Sequence, residues 1–387
     1  MLLIKVYEVK ELIPFNKPCV TGYEIDAIQH VLKNDKLSGN GVYGEKCTQW
    51  LESNLPAKKA LLAPSCTAAL EMSALLMDLT DKDEVIMPSY TFVSTANAYA
   101  LRGAFIKFVD VEPKTMNIDP AEIKKAITSR TKAIVVVHYA GVACDMDAIM
   151  EIAKKHNLWV VEDAAQALQA EYKGRALGTI GHFGTFSFHD TKNYTSGEGG
   201  ALIINDSNTI ERAEIIQEKG TNRSQFVRGM IDKYTWRDIG SSYLLSELNA
   251  AYLSVQFDYS DKIYQNRMDT WNRYYQNLSN LMTDEFIELP FIPSDIKHNA
   301  HMFYIKVKDS NTRGRLNTFL KDKGITAASH YVPLHSSHAG KKLGEFVGDD
   351  DFTTIDSERL LRLPLYYDIK VKDVDYVIST IQNFFNT

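Results

Sequence analysis

With 387 residues, 45% of them hydrophobic and 24% charged, the chain is long enough to build two lobes around substantial cores. No apolar run approaches the ~20 residues that a membrane span requires, and a net charge of −6 without a basic cluster argues against a nucleic-acid partner. Cys19, Cys47, Cys66 and Cys144 are widely spaced without a Cys-x-x-Cys pair, which points away from a disulfide framework or zinc ribbon and toward reduced thiols.

The N-terminal run from Met1 to Glu8 is broken by charges and lacks a small-residue cleavage site, so it does not read as a secretory signal and a cytoplasmic location is expected. From about Lys59 short apolar runs alternate with longer amphipathic ones. Strands are predicted at Ala60–Ala63, Glu84–Met87, Ile106–Val109, Ala133–Val137, Leu158–Glu162 and Ala201–Ile204, with helices between most of them. The first strand feeds a helix over Thr67–Met77 through the small residues Pro64-Ser65-Cys66. Such alternation predicts an α/β domain whose mainly parallel sheet is buried on both faces. A long amphipathic stretch from about Tyr243 to Leu278 leads into a second lobe. That lobe should be α+β, with a strand at Met302–Val307, a helix over Arg313–Lys323 and a final helix from Asp373, as N-cap, to Phe385. The expected division is a large domain over 1–255 and a small one over 256–387.

In sheets of this kind functional loops gather at the carboxyl ends of the strands, and Ser65, Asp163 and Lys192 all fall near such ends. Asp163 leaves a buried strand, where a carboxylate needs a compensating partner. It is either the N-cap of a helix beginning Ala164-Ala165 or the partner of a protonated pyridine nitrogen, with Gln166 close behind. The turn Pro64-Ser65-Cys66-Thr67-Ala68 is an ordinary capped helix start or a phosphate site, to which Ser187 could add a hydroxyl. Phe92 opens another helix, as a core ring or as one that stacks on a flat cofactor. Lys192 follows Phe186-Ser187-Phe188-His189 and precedes Gly197-Glu198-Gly199-Gly200. Most lysines are solvated surface groups, but an aldehyde cofactor needs an amine, an acid for its ring nitrogen, a phosphate cradle and a stacking ring. All four have candidates here. His330, His335 and His338 invite a metal reading, yet no carboxylate or cysteine nearby completes a ligand set. His189 is read as a cofactor or substrate contact or as a satisfied core histidine.

Pro64–Leu70, Pro88–Asn97, Glu162–Gln166 and Phe186–Lys192 with the glycines after it together resemble the DegT/DnrJ/EryC1/StrS sugar-nucleotide aminotransferases, and the similarity runs over nearly the whole chain. The wording of His138–Cys144, Glu218–Phe226 and Tyr234–Tyr243 is similar to the family members that make dTDP-4-amino-4,6-dideoxygalactose for enterobacterial common antigen. The resemblance implies a fold-type I, pyridoxal phosphate (PLP)-dependent homodimer with shared active sites. It implies that Lys192 forms the Schiff base, Asp163 pairs with the pyridine nitrogen, Gln166 lies near the ring hydroxyl and Phe92 stacks on the ring. Thr67, Ala68 and Ser187 would hold the phosphate. Many members add an asparagine from the partner subunit, where this chain has Ser242. The loop carrying His330 and Tyr331 would line the sugar-nucleotide entrance. The implied reaction takes L-glutamate and a nucleotide-linked 4-keto-6-deoxyhexose. The gluco epimer, a 3-keto acceptor, a dehydratase on the same scaffold and a non-catalytic sugar-nucleotide binder stand as alternatives. Lys192 speaks against the dehydratase, and a nicotinamide enzyme is disfavoured because no Gly-x-Gly-x-x-Gly follows an early strand.

Overall fold

The computed structural model describes residues 12–34 and 36–386, so the run from Met1 to Glu8 lies outside the described residues. Nine strands come first: β1 (Lys59–Ala63), β2 (Glu84–Pro88), β3 (Phe105–Val109), β4 (Thr131–Val137), β5 (Trp159–Asp163), β6 (Glu171–Tyr172), β7 (Arg175–Ala176), β8 (Phe183–Ser187) and β9 (Gly200–Ile204). Five more follow: β10 (Ile287–Glu288), β11 (Ile296–Lys297), β12 (Phe303–Val307), β13 (Gly344–Phe346) and β14 (Leu360–Leu363). Eight of them make one sheet in the order β1-β9-β8-β5-β4-β2-β3-β13. Only β9 runs antiparallel to its neighbours; the remaining pairs are parallel. The expected mainly parallel α/β sheet is therefore present.

Alternate residues of the β-branched runs face opposite sides, which is why the strands are apolar throughout. Ile134, Val136 and Val160 enter one core with the helix Met146–His156, whereas Val135 and Val161 enter another with the helix Cys66–Leu76. The first of these helices begins at Asp145, whose carboxylate accepts from the Ala148 N–H, and ends at Asn157 in the left-handed region.

The C-terminal lobe packs the antiparallel sheet β10-β12-β14 against helices Ser260–Thr283, Ser310–Asp322 and Val371–Phe385 around Tyr274, Phe303, Ile305 and Ile381. The amphipathic stretch from Tyr243 to Leu278 holds two helices, Glu247–Asp258 and Ser260–Thr283, that meet at Tyr259. One local expectation is corrected. The final helix starts at Val371 with Lys370 at the N-cap, so Asp373 sits in its first turn, where it complements the helix dipole without capping. The expected division between residues 255 and 256 falls inside the first of the two helices. The lobes interlock: β13 pairs with β3 of the large sheet, and Ile13 pairs with Ile325 of the small lobe. No helix among the described residues is long and apolar enough to cross a membrane.

The acidic pair at the end of β5 divides its work. Glu162 is fully buried and accepts four hydrogen bonds, from the N–H groups of Gly178, Ile180 and Gly181 and from His138 Nε2, at 2.6–2.9 Å. His138 Nδ1 accepts from the Cys144 N–H, so its proton is on Nε2 and every partner of Glu162 is a donor. Glu162→Gln turns an NH2 group toward two of those donors. A loss of about 2–3 kcal/mol in urea unfolding is expected; a change below ~0.5 kcal/mol would contradict the four-donor arrangement.

Candidate active site

Strands β5 and β8 are parallel neighbours, with Asp163 opposite Thr185, so their carboxyl ends open onto the same place. Asp163 does not cap a helix, because no helix follows it. The carbonyls of Gln166 and Leu168 instead accept from Asn299 Nδ2, each at 2.9 Å, and are thereby withdrawn from helical pairing. The Asp163 carboxylate accepts from Thr95 Oγ1 at 2.7 Å and from the Ala165 N–H at 3.2 Å. Thr95 in turn lies 2.8 Å from Thr91 Oγ1, so the donor order runs Thr91 to Thr95 to Asp163. Burial pushes the acid above its usual range, while these two hydrogen bonds oppose that.

Past the end of β8 the chain turns so that the Lys192 N–H donates to the His189 carbonyl at 3.0 Å. The Lys192 amine faces a cavity of about 480 Å3 that Asp163 also lines. Burial lowers its pKa; Cys66 and Asp163 oppose the shift, and the Arg362 cation reinforces it.

Most of the other sequence candidates line the same cavity: Thr67, Ser187, Phe92, Gln166, His189, His330 and Tyr331. At one end lies the N-terminus of Cys66–Leu76. Its N-cap Ser65 takes the Ala68 N–H at 3.0 Å, which leaves the Cys66 and Thr67 N–H groups as first-turn donors. Gly200 allows β9 to pass this terminus, since a Cβ there would stand 2.4 Å from the Cys66 nitrogen. Thr67 Oγ1 donates to Ser94 Oγ at 2.7 Å. Phe92 is not a core ring: 55% of it is exposed, at the start of Val93–Ala100, with its centroid 6.1 Å from Tyr331. Gln166 accepts from the Ala140 N–H and donates to the Tyr331 hydroxyl at 3.0 Å. His330 stacks on Tyr331 and hydrogen-bonds Tyr139 at 2.9 Å; burial, with Arg362 and Lys192 nearby, holds its pKa well below the ordinary histidine value.

His189 lines the cavity at its exposed rim, half exposed against Asp190 and Thr191, which overturns its reading as a core histidine. The remaining candidates separate from these. His335 leaves the cavity to join Ser89 Oγ at 2.7 Å and Asp350 at 3.2 Å. Among the described residues no three His, Cys, Asp or Glu side chains gather as a metal set. Ser242 is exposed, pairs with Glu218 and does not reach the cavity of its own chain. Two polar lining residues have no sequence motif, His301 and Arg362. Arg362 donates through Nη2 to the Ser329 carbonyl and lies 4.6 Å over the Phe15 ring, while its buried Nε has no partner among the described residues.

Residues 18–382 match the model of the DegT/DnrJ/EryC1/StrS aminotransferase family. The chain belongs to that family. This aminotransferase is 32% identical to the spore coat polysaccharide biosynthesis protein SpsC of Bacillus subtilis, over 96% of each chain. Among solved structures it is similar to Helicobacter pylori PseC, an aminotransferase involved in the biosynthesis of pseudoaminic acid, with TM-score 0.88, 25% identity and 97% of this chain covering 100% of that one. A sugar aminotransferase, Spr1654 of Streptococcus pneumoniae, solved in PLP and PMP forms, matches with TM-score 0.87, 25% identity and coverage of 97% and 99% in its PLP form. The protein is thus a PLP-dependent sugar aminotransferase of fold-type I.

The cavity's donor set suits that cofactor. It offers an amine with a lowered pKa for the aldehyde, a buried carboxylate for the ring nitrogen, first-turn N–H groups and hydroxyls for the phosphate, and an exposed ring for the face. Burying an amine costs stability in the cofactor-free protein. Because its folded pKa lies below the unfolded value, the penalty is complete below the folded pKa and fades as pH rises through the window between the two. Lys192→Met should therefore raise the melting temperature of the cofactor-free protein by about 2–4 °C at neutral pH, with the gain shrinking toward the alkaline end in calorimetry.

Proposed function

We propose that this aminotransferase transfers the amino group of L-glutamate to dTDP-4-keto-6-deoxyglucose, giving dTDP-4-amino-4,6-dideoxygalactose for a surface polysaccharide. The observation that carries the chemistry is the convergence of the Lys192 amine and the Asp163 carboxylate on one cavity at the ends of adjacent parallel strands. SpsC and PseC, by their names, serve polysaccharide and pseudoaminic acid synthesis, which supports a sugar acceptor. The sequence wording of Glu218–Phe226 and Tyr234–Tyr243 supports the choice of sugar.

When bound, PLP supplies an electrophilic carbonyl and a conjugated ring that takes up the electrons of a breaking C–H bond. Lys192 Nζ would hold the cofactor's aldehyde and move a proton at the donor's α-carbon, and burial lowers its pKa in the direction that this role needs. Asp163 keeps the ring nitrogen protonated, and Thr91 and Thr95 hold its carboxylate in line. Phe92 would cover the ring face, and Gln166, fixed by Ala140 and Tyr331, would border the ring hydroxyl. The Ser187 hydroxyl and the first-turn N–H groups of Cys66 and Thr67 would hold the phosphate, while the Ala68 N–H stays with Ser65 and the Thr67 hydroxyl with Ser94. Arg362, the cavity cation with a donor to spare, takes a carboxylate of the amino donor. His330, Tyr331 and the half-exposed His189 border the sugar nucleotide.

Two copies pair in this reading, with Ser242 of each reaching toward its partner's site. The exposed apolar side chains Phe226, Val227, Met230, Trp236 and Ile239 on the same segment support such pairing. The lobes are a large one to about residue 255 and a small one beyond, and the enzyme works in the cytoplasm, beside its water-soluble substrates.

Lys192→Ala should abolish turnover and the visible absorption band that borohydride bleaches; near-normal transamination by the variant would end the assignment. NMR of the product formed from glutamate and dTDP-4-keto-6-deoxyglucose should show an axial 4-amino group, and faster turnover of a 3-keto or GDP-linked sugar would overturn the choice of substrate. Arg362→Gln should raise the KM for glutamate about 10- to 100-fold with a smaller effect on the KM of the sugar.

A further inference from the structure

His301 lines the cavity beside Lys192 and is held on all sides. Its N–H donates to Asn299 Oδ1 at 3.1 Å, and its carbonyl accepts from Arg267 Nη2 at 2.6 Å. Its ring Nδ1 lies 2.9 Å from Oδ1 of Asn193, the residue after Lys192. The orientation of that amide is settled by its other end, since Asn193 Nδ2 donates to the Asn299 carbonyl at 2.9 Å. A flipped amide would set oxygen against oxygen there. Asn193 Oδ1 is therefore the acceptor, His301 Nδ1 carries the hydrogen, and Nε2 is left with a lone pair.

The surroundings keep the ring neutral. Burial comes first, and the cationic or basic neighbours Lys192, Arg267, His330 and Arg362 all push the His301 pKa well below the ordinary value. Among the described residues no carboxylate is in hydrogen-bond contact with the ring, and Nε2 takes no hydrogen bond. An uncharged acceptor in a cavity that already holds two cationic side chains selects a donor of its own. Of the groups that the proposed reaction brings in, the donor's carboxylates and the cofactor's phosphate only accept and the donor's amino group is the one consumed in the transfer, whereas sugar hydroxyls remain to donate.

We propose that His301 is a specificity-determining residue of the proposed reaction: its Nε2 accepts a hydrogen bond from the hexose hydroxyl next to the keto carbon, and Asn193 fixes the tautomer that makes this possible. The inference rests on the proposed sugar reaction. A site built around a hydroxyl discriminates against its absence, because the buried acceptor is then left unpaired.

The test pairs two sugars with three proteins. Wild type, His301→Phe and His301→Gln are compared on dTDP-4-keto-6-deoxyglucose and its 3-deoxy analogue, with calorimetric binding of the unreactive dTDP-6-deoxygalactose as a second readout. Wild type should favour the hydroxylated sugar by about tenfold in kcat/KM. His301→Phe should lose about tenfold on that sugar, less than about twofold on the analogue, and about tenfold in binding, while His301→Gln, which retains an acceptor, recovers part of each loss. Asn193→Asp places a carboxylate on Nδ1, raises the His301 pKa and should make the preference for the hydroxylated sugar collapse as pH falls and return as it rises. Equal losses by His301→Phe on both sugars would overturn the assignment of His301 alone. Failure of the wild type to aminate either sugar would overturn the proposed substrate, and this inference with it.

Discussion

The geometry of the site depends on one amide. Asn299 belongs to the small lobe, yet its Nδ2 holds the Gln166 and Leu168 carbonyls that follow β5, and its own carbonyl receives Asn193 beside Lys192. Its Oδ1 takes the His301 N–H. One residue, through three side-chain hydrogen bonds and its main-chain carbonyl, thus ties the Asp163 loop, the Lys192 loop and the small-lobe wall together. Gly141 makes room for it, because a Cβ at that position would stand 2.0 Å from Asn299 Oδ1, and its φ of 79° is one that side-chain-bearing residues seldom adopt. Buried amides of this kind are stabilising only when every donor and acceptor is matched, and here they are.

The electrostatics follow from the same enclosure. Lys192 and Asp163 are pushed in opposite directions by burial, each toward its neutral form, and each partly restores the charge of the other. Asp163 at the end of β5 and Lys192 on the loop after β8 line one cavity without forming an ion pair. Arg362 and the neutral histidines His301 and His330 then give the small-lobe wall one strong cationic donor and acceptors that carry no charge.

The α/β sheet was legible because β-branched runs alternate with small-residue loops, and strands such as Ala133–Val137 were found almost to the residue as Thr131–Val137. Asp163 and Phe92 were readable as candidates because each follows a predicted strand, and Lys192 because it stands between Phe186-Ser187-Phe188-His189 and a run of glycines, although β8 before it was not among the predicted strands. The failures have local causes. Asp163-Ala164-Ala165 has helix-start character, but Asn299, more than a hundred residues away in sequence, captures the carbonyls that a helix would use. Asp373 has the composition of an N-cap, although the helix gains a turn by starting at Val371. His301 and Arg362 were missed for a related reason. They reach the cavity only because the small lobe folds back on the large sheet, and neither the wording around Ala300-His301-Met302 nor that around Leu361-Arg362-Leu363 marks a site. The one available signal was a charged residue within an otherwise apolar strand, β14, which needs a reason to be there.

Strand β13 gives the molecule a constraint in time as well as in space. It supplies the edge of the large sheet from residues 344–346, next to a strand made of residues 105–109. During synthesis on the ribosome β3 therefore presents an unsatisfied edge until about two thirds of the small lobe has emerged, and the Ile13–Ile325 pairing must wait nearly as long. A chain of this design cannot finish its first lobe before much of its second has been made.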